Sequence, residues 1–211
     1  LRVVILAWEF PPRIVGQLAH YVNSLAVELV RKNVDVHVIT YHDSWVGYHQ
    51  GADGVKAYRV SNPVKAQISV LTWALTLNQE VERAAADIYH STTREVELID
   101  AHDWHFVPAA VSLKSALGVP FVFSVDSLEN HRSRGSNAPL SLSIKGLESL
   151  GLSEAARVVV RSDWMRNEVN RVYGTPFEKI EVVSPYSPEW AEQVLRAYWM
   201  ARGHPPECGR V

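Results

Sequence analysis

The sequence predicts a doubly wound α/β domain, a mostly parallel sheet with helices on both faces. Three observations carry this. Short runs rich in Val, Ile and Phe alternate with longer segments of helical periodicity along most of the chain. Those short runs are apolar at successive positions, as strands buried on both faces are. A chain of 211 residues, 47% of them hydrophobic, can also bury a sizeable core without disulfides or metals.

Each element has its own signal. Residues 2–8 (RVVILAW) form the first strand. Residues 9–16 (EFPPRIVG) form a loop stiffened by prolines and closed by Gly16. Residues 17–32 carry Leu18, Tyr21, Val22, Leu25 and Leu29 at helical spacing. Residues 34–40 (VDVHVIT) give the second strand, with Asp35 and His37 on one face. The third strand is 54–60, and a long helix spans about 65–90. The fourth strand, 97–101 (ELIDA), precedes a helix over 106–117. The fifth strand, 120–125 (PFVFSV), precedes a helix over 140–150. The sixth strand is 157–160 (RVVV). Its helix, 162–173, has Ser162 as N-cap and Gly174 as its stop. The seventh strand is 179–183, and the last helix, 188–201, starts on Pro188. The tail 202–211 is expected to fray.

A net charge of −2 and an ordinary composition argue against a disordered chain and against a general nucleic-acid binder. The single Cys208 cannot form an internal disulfide, so a reducing, cytoplasmic setting is the default. No apolar run reaches membrane-spanning length, and the order of a signal peptide is not seen. The chain opens at Leu1 within an apolar run and without Met, which reads as the inside or edge of a longer protein.

Functional loops of such a domain follow the C-terminal ends of its strands. In EFPPRIVGQL, Gly16 opens a helix and can bring backbone N–H groups to an anion, or simply make a rigid turn. It is neither a dinucleotide fingerprint nor a P-loop. AHDWH (101–105) offers ligand contacts, or a polar loop over a packed Trp104. A metal site lacks the accompanying ligand pattern. DSLENHRSRGSN (126–137) is a long polar loop of the functional kind, in which Asp126 and Glu129 also have capping-box spacing. Arg161, Ser162 and Asp163 read first as a helix start. Trp45 and Tyr48 give either an exposed adhesive surface or a cover for the sheet edge. Spacing names no nucleophile–base pair.

Taken together and in order, WEFPPRIVG, IDAHDWHFVPAA, GVPFVFSV with its polar loop, SLSIKGLE and VVVRSDWMRNEV resemble the N-terminal domain of retaining glycosyltransferases. The similarity is greatest to the glycogen/starch synthase-like enzymes and covers residues 1–184. The resemblance implies one Rossmann-like half of a GT-B fold, whose N-terminal domain binds an α-glucan acceptor. The second domain of such enzymes binds ADP-glucose or UDP-glucose, and transfer retains configuration without metal or other cofactor. In the family, a glycine-rich turn lies against the donor phosphates, while an Asp and a His after later strands approach the transferred sugar.

Carried over residue by residue, Gly16 matches the first glycine of that turn and Gln17 stands at the second. The lysine of the starch synthases would fall at Ile14. His102 and Asp103 match the His-Asp pair, and Asp126 stands where the family has its catalytic His. A carboxylate there cannot act as an imidazole donor and would repel phosphate charge. Ser127, Glu129 and Arg132 complete the expected substrate-binding set. The Arg–Lys pair and paired glutamates of the donor domain have no counterpart after Ser184. SPEWAEQVLRAYWM (187–200) instead resembles the family's terminal helix, which packs back on the first domain. The expected organisation is therefore an acceptor-side domain (1–186), a returning helix (187–203) and a tail (204–211), inactive alone for want of a donor domain.

Two other readings stay open. One is a standalone module that binds glucan or a partner, or self-associates through its uncovered cleft. The other is an unrelated doubly wound nucleotide-binding or response-type protein.

Overall fold

The computed structural model describes residues 1–66, 68–91, 95–185 and 187–203. Strand β1 (Arg2–Ala7) leads to helix α1 (Gln17–Arg31), β2 (Asp35–Tyr41), β3 (Gly47–Gln50) and β4 (Lys56–Val60). Helix α2 (Val70–Ser91), β5 (Leu98–His102), α3 (Val107–Leu117) and β6 (Phe121–Val125) follow. A short helix α4 (Glu129–Arg132) precedes α5 (Pro139–Glu154), β7 (Arg157–Val160), α6 (Asp163–Tyr173), β8 (Ile180–Val182) and α7 (Trp190–Ala201).

The sheet has eight strands in the order β3-β4-β2-β1-β5-β6-β7-β8. All neighbours run parallel except β3, which pairs antiparallel with β4. The expected doubly wound architecture is therefore present. The sequence reading lacked β3, whose GYHQ has no apolar run and is mostly exposed. It also lacked α4, a single turn inside the polar loop. Pro188 lies outside the last helix, which begins at Trp190. Cys208 and the tail from 204 fall outside the described residues.

Helices cover both faces. On one side Leu77 of α2, Leu113 of α3, Ile144 of α5 and Val169 of α6 pack with Leu6, Ile99 and Phe123. On the other, Leu25 of α1 and Val194 and Tyr198 of α7 pack with Ile5, Leu98, Val122 and Val159. Successive residues of each central strand thus serve opposite cores, which is why both faces had to be apolar. Gly151 lets α5 approach the sheet, since a Cβ there would lie 2.8 Å from Val107 Cγ2 and 2.9 Å from the Phe123 ring. Ser162 caps α6 by accepting from the Met165 N–H at 3.2 Å, and Gly174 ends that helix at φ 68°. No helix among the described residues is long and apolar enough to cross a membrane.

Strand order reverses at β1, with β2 on one side and β5 on the other. The connections after β1 and β5 therefore leave in opposite directions and open a crevice at the C-terminal sheet edge.

Candidate functional site

A cleft of about 460 Å³ occupies that crevice. Trp8, Glu9 and Gln17 line it from the β1 side, Asp103, Trp104 and His105 from β5. Asp126, Ser127, Glu129 and Arg132 line it from the loop after β6. Topology thus gathers residues that are far apart in sequence.

The first loop is organised by Glu9. Its Oε2 accepts the Val15 and Gly16 N–H groups at 2.6 and 2.7 Å, and the side chain is buried. The turn that would offer N–H groups to an anion already holds a carboxylate from its own chain. Gly16 itself is not among the residues that line the cleft. Its φ of −149° is extended backbone, and a Cβ would meet Glu9 Oε1 at an ordinary 3.4 Å. Gln17 does line the cleft, beside Leu18.

His102 is also absent from the lining. As the last residue of β5 it points beneath the floor and is fully buried. Its Nε2 lies 3.2 Å from Asp100 Oδ2 and its Nδ1 3.7 Å from Asp126 Oδ2, without hydrogen-bond geometry, so both contacts are ionic. Burial opposes the imidazolium charge, but Asp100 and then Asp126 outweigh it and raise the His102 pKa to about 9. Burial likewise disfavours the Asp100 anion, yet His102, Tyr198 and Ser124 hold its pKa below the ordinary value. Ser124 Oγ donates to Asp100 Oδ1 at 2.7 Å.

Asp103 stands one residue above, where the chain turns out of the strand. Its φ of 57° is unusual for a residue other than glycine and marks a position fixed by its surroundings. Its Oδ1 accepts the N–H groups of Asp126 at 3.0 Å and Ser127 at 3.3 Å, tying the β5 and β6 loops together. Burial first, and the Asp126 charge second, raise its pKa to about 7.

Asp126 pairs with Arg161, whose guanidinium carbon sits 3.7 Å from the Tyr21 ring centre. With His102 on its other side, Asp126 has two cationic neighbours. The repulsion of phosphate expected from a carboxylate at this position is correspondingly offset. The alternative capping role of Asp126 is not seen, since Leu128 occupies the N-cap position of α4.

The far wall is a charge network. Arg132 donates to Ser127 Oγ at 2.5 Å, Glu148 Oε1 at 2.7 Å and Glu129 Oε2 at 3.2 Å. Glu148 also accepts from the Glu129 N–H at 2.7 Å and from Tyr173. Burial raises the Glu148 pKa despite these donors. On the near wall, His105 is stacked between Trp8 (5.1 Å) and Trp104 (4.2 Å), where burial lowers its pKa to about 3. Neutral and enclosed by rings, it forms part of an aromatic wall. No group of three metal-ligating side chains is present among the described residues.

Of the residues expected at the site, Gln17, Asp103, Asp126, Ser127, Glu129 and Arg132 converge on the cleft. Sequence reading did not single out Trp8, Glu9, Glu148 or Tyr198, and read Arg161 only as part of a helix start. The position of Glu9 straight after β1 was a usable signal. That of Tyr198 was not, because its contact with the floor depends on the packing of α7.

The family model of the glycosyl transferase 4-like domain matches residues 16–185. An uncharacterized glycosyltransferase of Methanocaldococcus jannaschii is 34% identical over 189 residues, covering 87% of this chain and 45% of that protein. A glycogen synthase of Mycobacterium tuberculosis is 23% identical over 196 residues, covering 87% of this chain and 47% of its own. The chain thus spans about half the length of the curated relatives it matches. Among solved structures, a sucrose-phosphate synthase form from Thermosynechococcus elongatus superposes with a TM-score of 0.67 at 12% identity, covering 96% of this chain and 98% of that one. Fold, cleft position and sequence similarity agree: the chain belongs to the glycosyl transferase 4-like family and has the Rossmann-like fold of a GT-B glycosyltransferase domain.

Proposed function

We propose that this domain is the acceptor side of a retaining glycosyltransferase that moves glucose from ADP-glucose or UDP-glucose onto an α-glucan, and that it does not transfer sugar alone. One observation carries the reading. The crevice at the strand-order reversal presents carboxylates, an arginine and an aromatic wall, while the Val15 and Gly16 N–H groups are taken by Glu9. This is chemistry suited to hydroxyl-rich sugar. It leaves the Val15 and Gly16 N–H groups unavailable to a diphosphate, which fits a donor held mainly by a second domain.

The roles follow from the geometry. Asp103, with a pKa of about 7, can donate or accept a hydrogen bond at a sugar hydroxyl near neutral pH. Asp126, braced by His102 and Arg161, supplies a fixed acceptor at the position of the family histidine. Gln17, Ser127, Glu129 and Arg132 add polar contacts, and the partly exposed Trp8 offers an apolar surface for one side of a pyranose. Helix α7 packs on the face opposite α2, which supports reading it as the family's returning helix.

The test is incorporation of labelled glucose into glycogen, alongside maltoheptaose titration. The chain alone should incorporate no label, and any transfer above a Asp103→Ala control would overturn the inactivity. Maltoheptaose at millimolar concentration should perturb Trp8, and silence there would overturn the acceptor assignment. In a chain joined to a donor domain, Gln17→Gly with Asp126→His should raise transfer. No rise would mean that these departures do not limit the site.

Binding without catalysis is the second reading. It is favoured by the exposed apolar residues Ile14 (51%), Val15 (60%) and Trp164 (58%) on loops and helix starts at the cleft edge of the sheet. A covering domain or a second copy of the chain would bury them. Sedimentation at rising concentration separates self-association from a monomer awaiting its partner domain.

A further inference from the structure

We infer that a hollow behind the β3–β4 hairpin, separate from the cleft, binds a small anion carried on a ring, such as a sugar phosphate or a sugar carboxylate. The hollow measures about 460 Å³ and lies between α1, the loop after β1 and the hairpin. Phe10, Asn23, Trp45, His49, Gln50 and Arg59 are among the residues lining it.

Arg59 is the central observation. It is only 5% exposed, and no carboxylate pairs with it among the described residues. Its Nη2 donates to the Pro11 carbonyl at 2.8 Å, while its buried Nε and Nη1 have no partner. The buried Nε2 of His49 is also unpartnered and belongs to the same hollow. Asp53, the acidic residue in the lining, turns its Oδ1 to the Val55 N–H instead. A buried guanidinium without an anion is costly, and burial alone lowers its pKa. The missing partner is an anion with at least one oxygen to accept from the fork.

The ring requirement comes from Trp45. It lies over the guanidinium at 4.3 Å, packs against His49 at 4.2 Å, and is still 44% exposed. Such a side chain can swing aside and then cover the apolar face of a ring whose anionic group has reached Arg59. Asn23 and Gln50, whose Oε1 accepts from the Tyr48 hydroxyl at 2.9 Å, add amide groups to the lining. Through Pro11, Arg59 is tied to the same loop that Glu9 organises at the cleft, so occupancy would be felt there. The inference does not depend on the glycosyl-transfer reading.

The experiment is calorimetric titration of the chain with glucose 6-phosphate, glucuronate, inorganic phosphate and glucose, with the Trp45 indole resonance followed in parallel. One of the two ring anions should saturate below millimolar concentration and shift Trp45. Which one does so distinguishes phosphate from carboxylate. Inorganic phosphate and glucose should each bind at least about tenfold more weakly, and Arg59→Met should weaken the ring anion by at least about tenfold. Arg59→Lys, which keeps the charge and loses the fork, should fall between, and it carries the test if the Met variant does not fold. The proposal is overturned if neither ring anion binds with a Kd below about 1 mM, if inorganic phosphate binds as tightly, or if Arg59→Lys and Trp45→Ala leave affinity unchanged.

Discussion

The Tyr198 hydroxyl donates to Asp100 Oδ2 at 2.5 Å across 98 residues of sequence, joining the last helix to the floor of the cleft. Both residues are fully buried. Asp100 in turn faces His102, and His102 faces Asp126 at the cleft surface. A helix on one face of the sheet is thereby linked to a carboxylate at its edge.

Tyr198→Phe keeps the ring and deletes that donor. Asp100 then loses one of its stabilising contacts in a site without water access. Denaturant unfolding should show a loss of about 1–3 kcal/mol, larger than for a surface tyrosine. An unchanged midpoint would mean that the contact contributes no net stability.

Stability should fall on the alkaline side through His102. Its folded pKa, about 9, lies above the ordinary 6.5, so its contribution is complete below pH 6.5 and is lost as pH rises through 9. Thermal melts from pH 6.5 to 9.5 should reveal a decline on the order of 2–3 kcal/mol. His102→Gln should be less stable at pH 6.5 and show a flatter slope above it.

Asp103→Asn should behave differently in stability and in function. The raised pKa means that folding holds the Asp103 proton, so its contribution is present below about 4 and lost as pH rises through 7. At pH 8 the neutral amide should stabilise the fold by about 1–3 kcal/mol, with less gain at pH 5. Asn also tolerates the positive φ. Maltoheptaose affinity should drop in the same variant, since the amide cannot take the ionised state. Equal stability at the two pH values would remove the basis of the assignment.

Glu9→Ala leaves the Val15 and Gly16 N–H groups without their acceptor. Hydrogen exchange at these two amides should accelerate, and global stability should fall by about 1–3 kcal/mol. If Glu9→Ala frees an anion cradle, sulfate should protect those amides again.

Gly151→Ala should overpack the α5–sheet interface, where its new methyl meets Val107 and Phe123 under 3 Å. The cost should be about 1–3 kcal/mol, read from thermal unfolding. Gly146 has open space around it, so Gly146→Ala on the same helix is the control and should not destabilise.

The parallel strands were legible because RVVILA, FVFSV and RVVV must be apolar on both faces to sit between two cores. Ser162 and Gly174 were legible because capping chemistry is local. The antiparallel β3 was not, since its residues satisfy only an edge and carry no core signal. The same divide separates the site residues. Asp103, Asp126 and Arg132 stood on loops that the topology rule selects. His102 and Arg161 stood on selected segments too, but their ionic contacts with Asp126 were not legible, because the two residues come from two other strand ends and meet it only after the sheet is assembled. His102 illustrates the converse: its sequence position is that of a ligand contact, and its side chain is part of the foundation.

The placement of α7 bears on the order in which the molecule is assembled. Synthesis proceeds from the N-terminus, and domains begin to fold as they emerge. Until Val194 and Tyr198 arrive, Val122, Val159 and Leu98 lack part of the cover they have in the finished sheet. Asp100 and His102 would meanwhile face each other in a partly open floor. A nascent chain interrupted before Trp190 should therefore be a client for chaperones, even with every strand of the sheet already made.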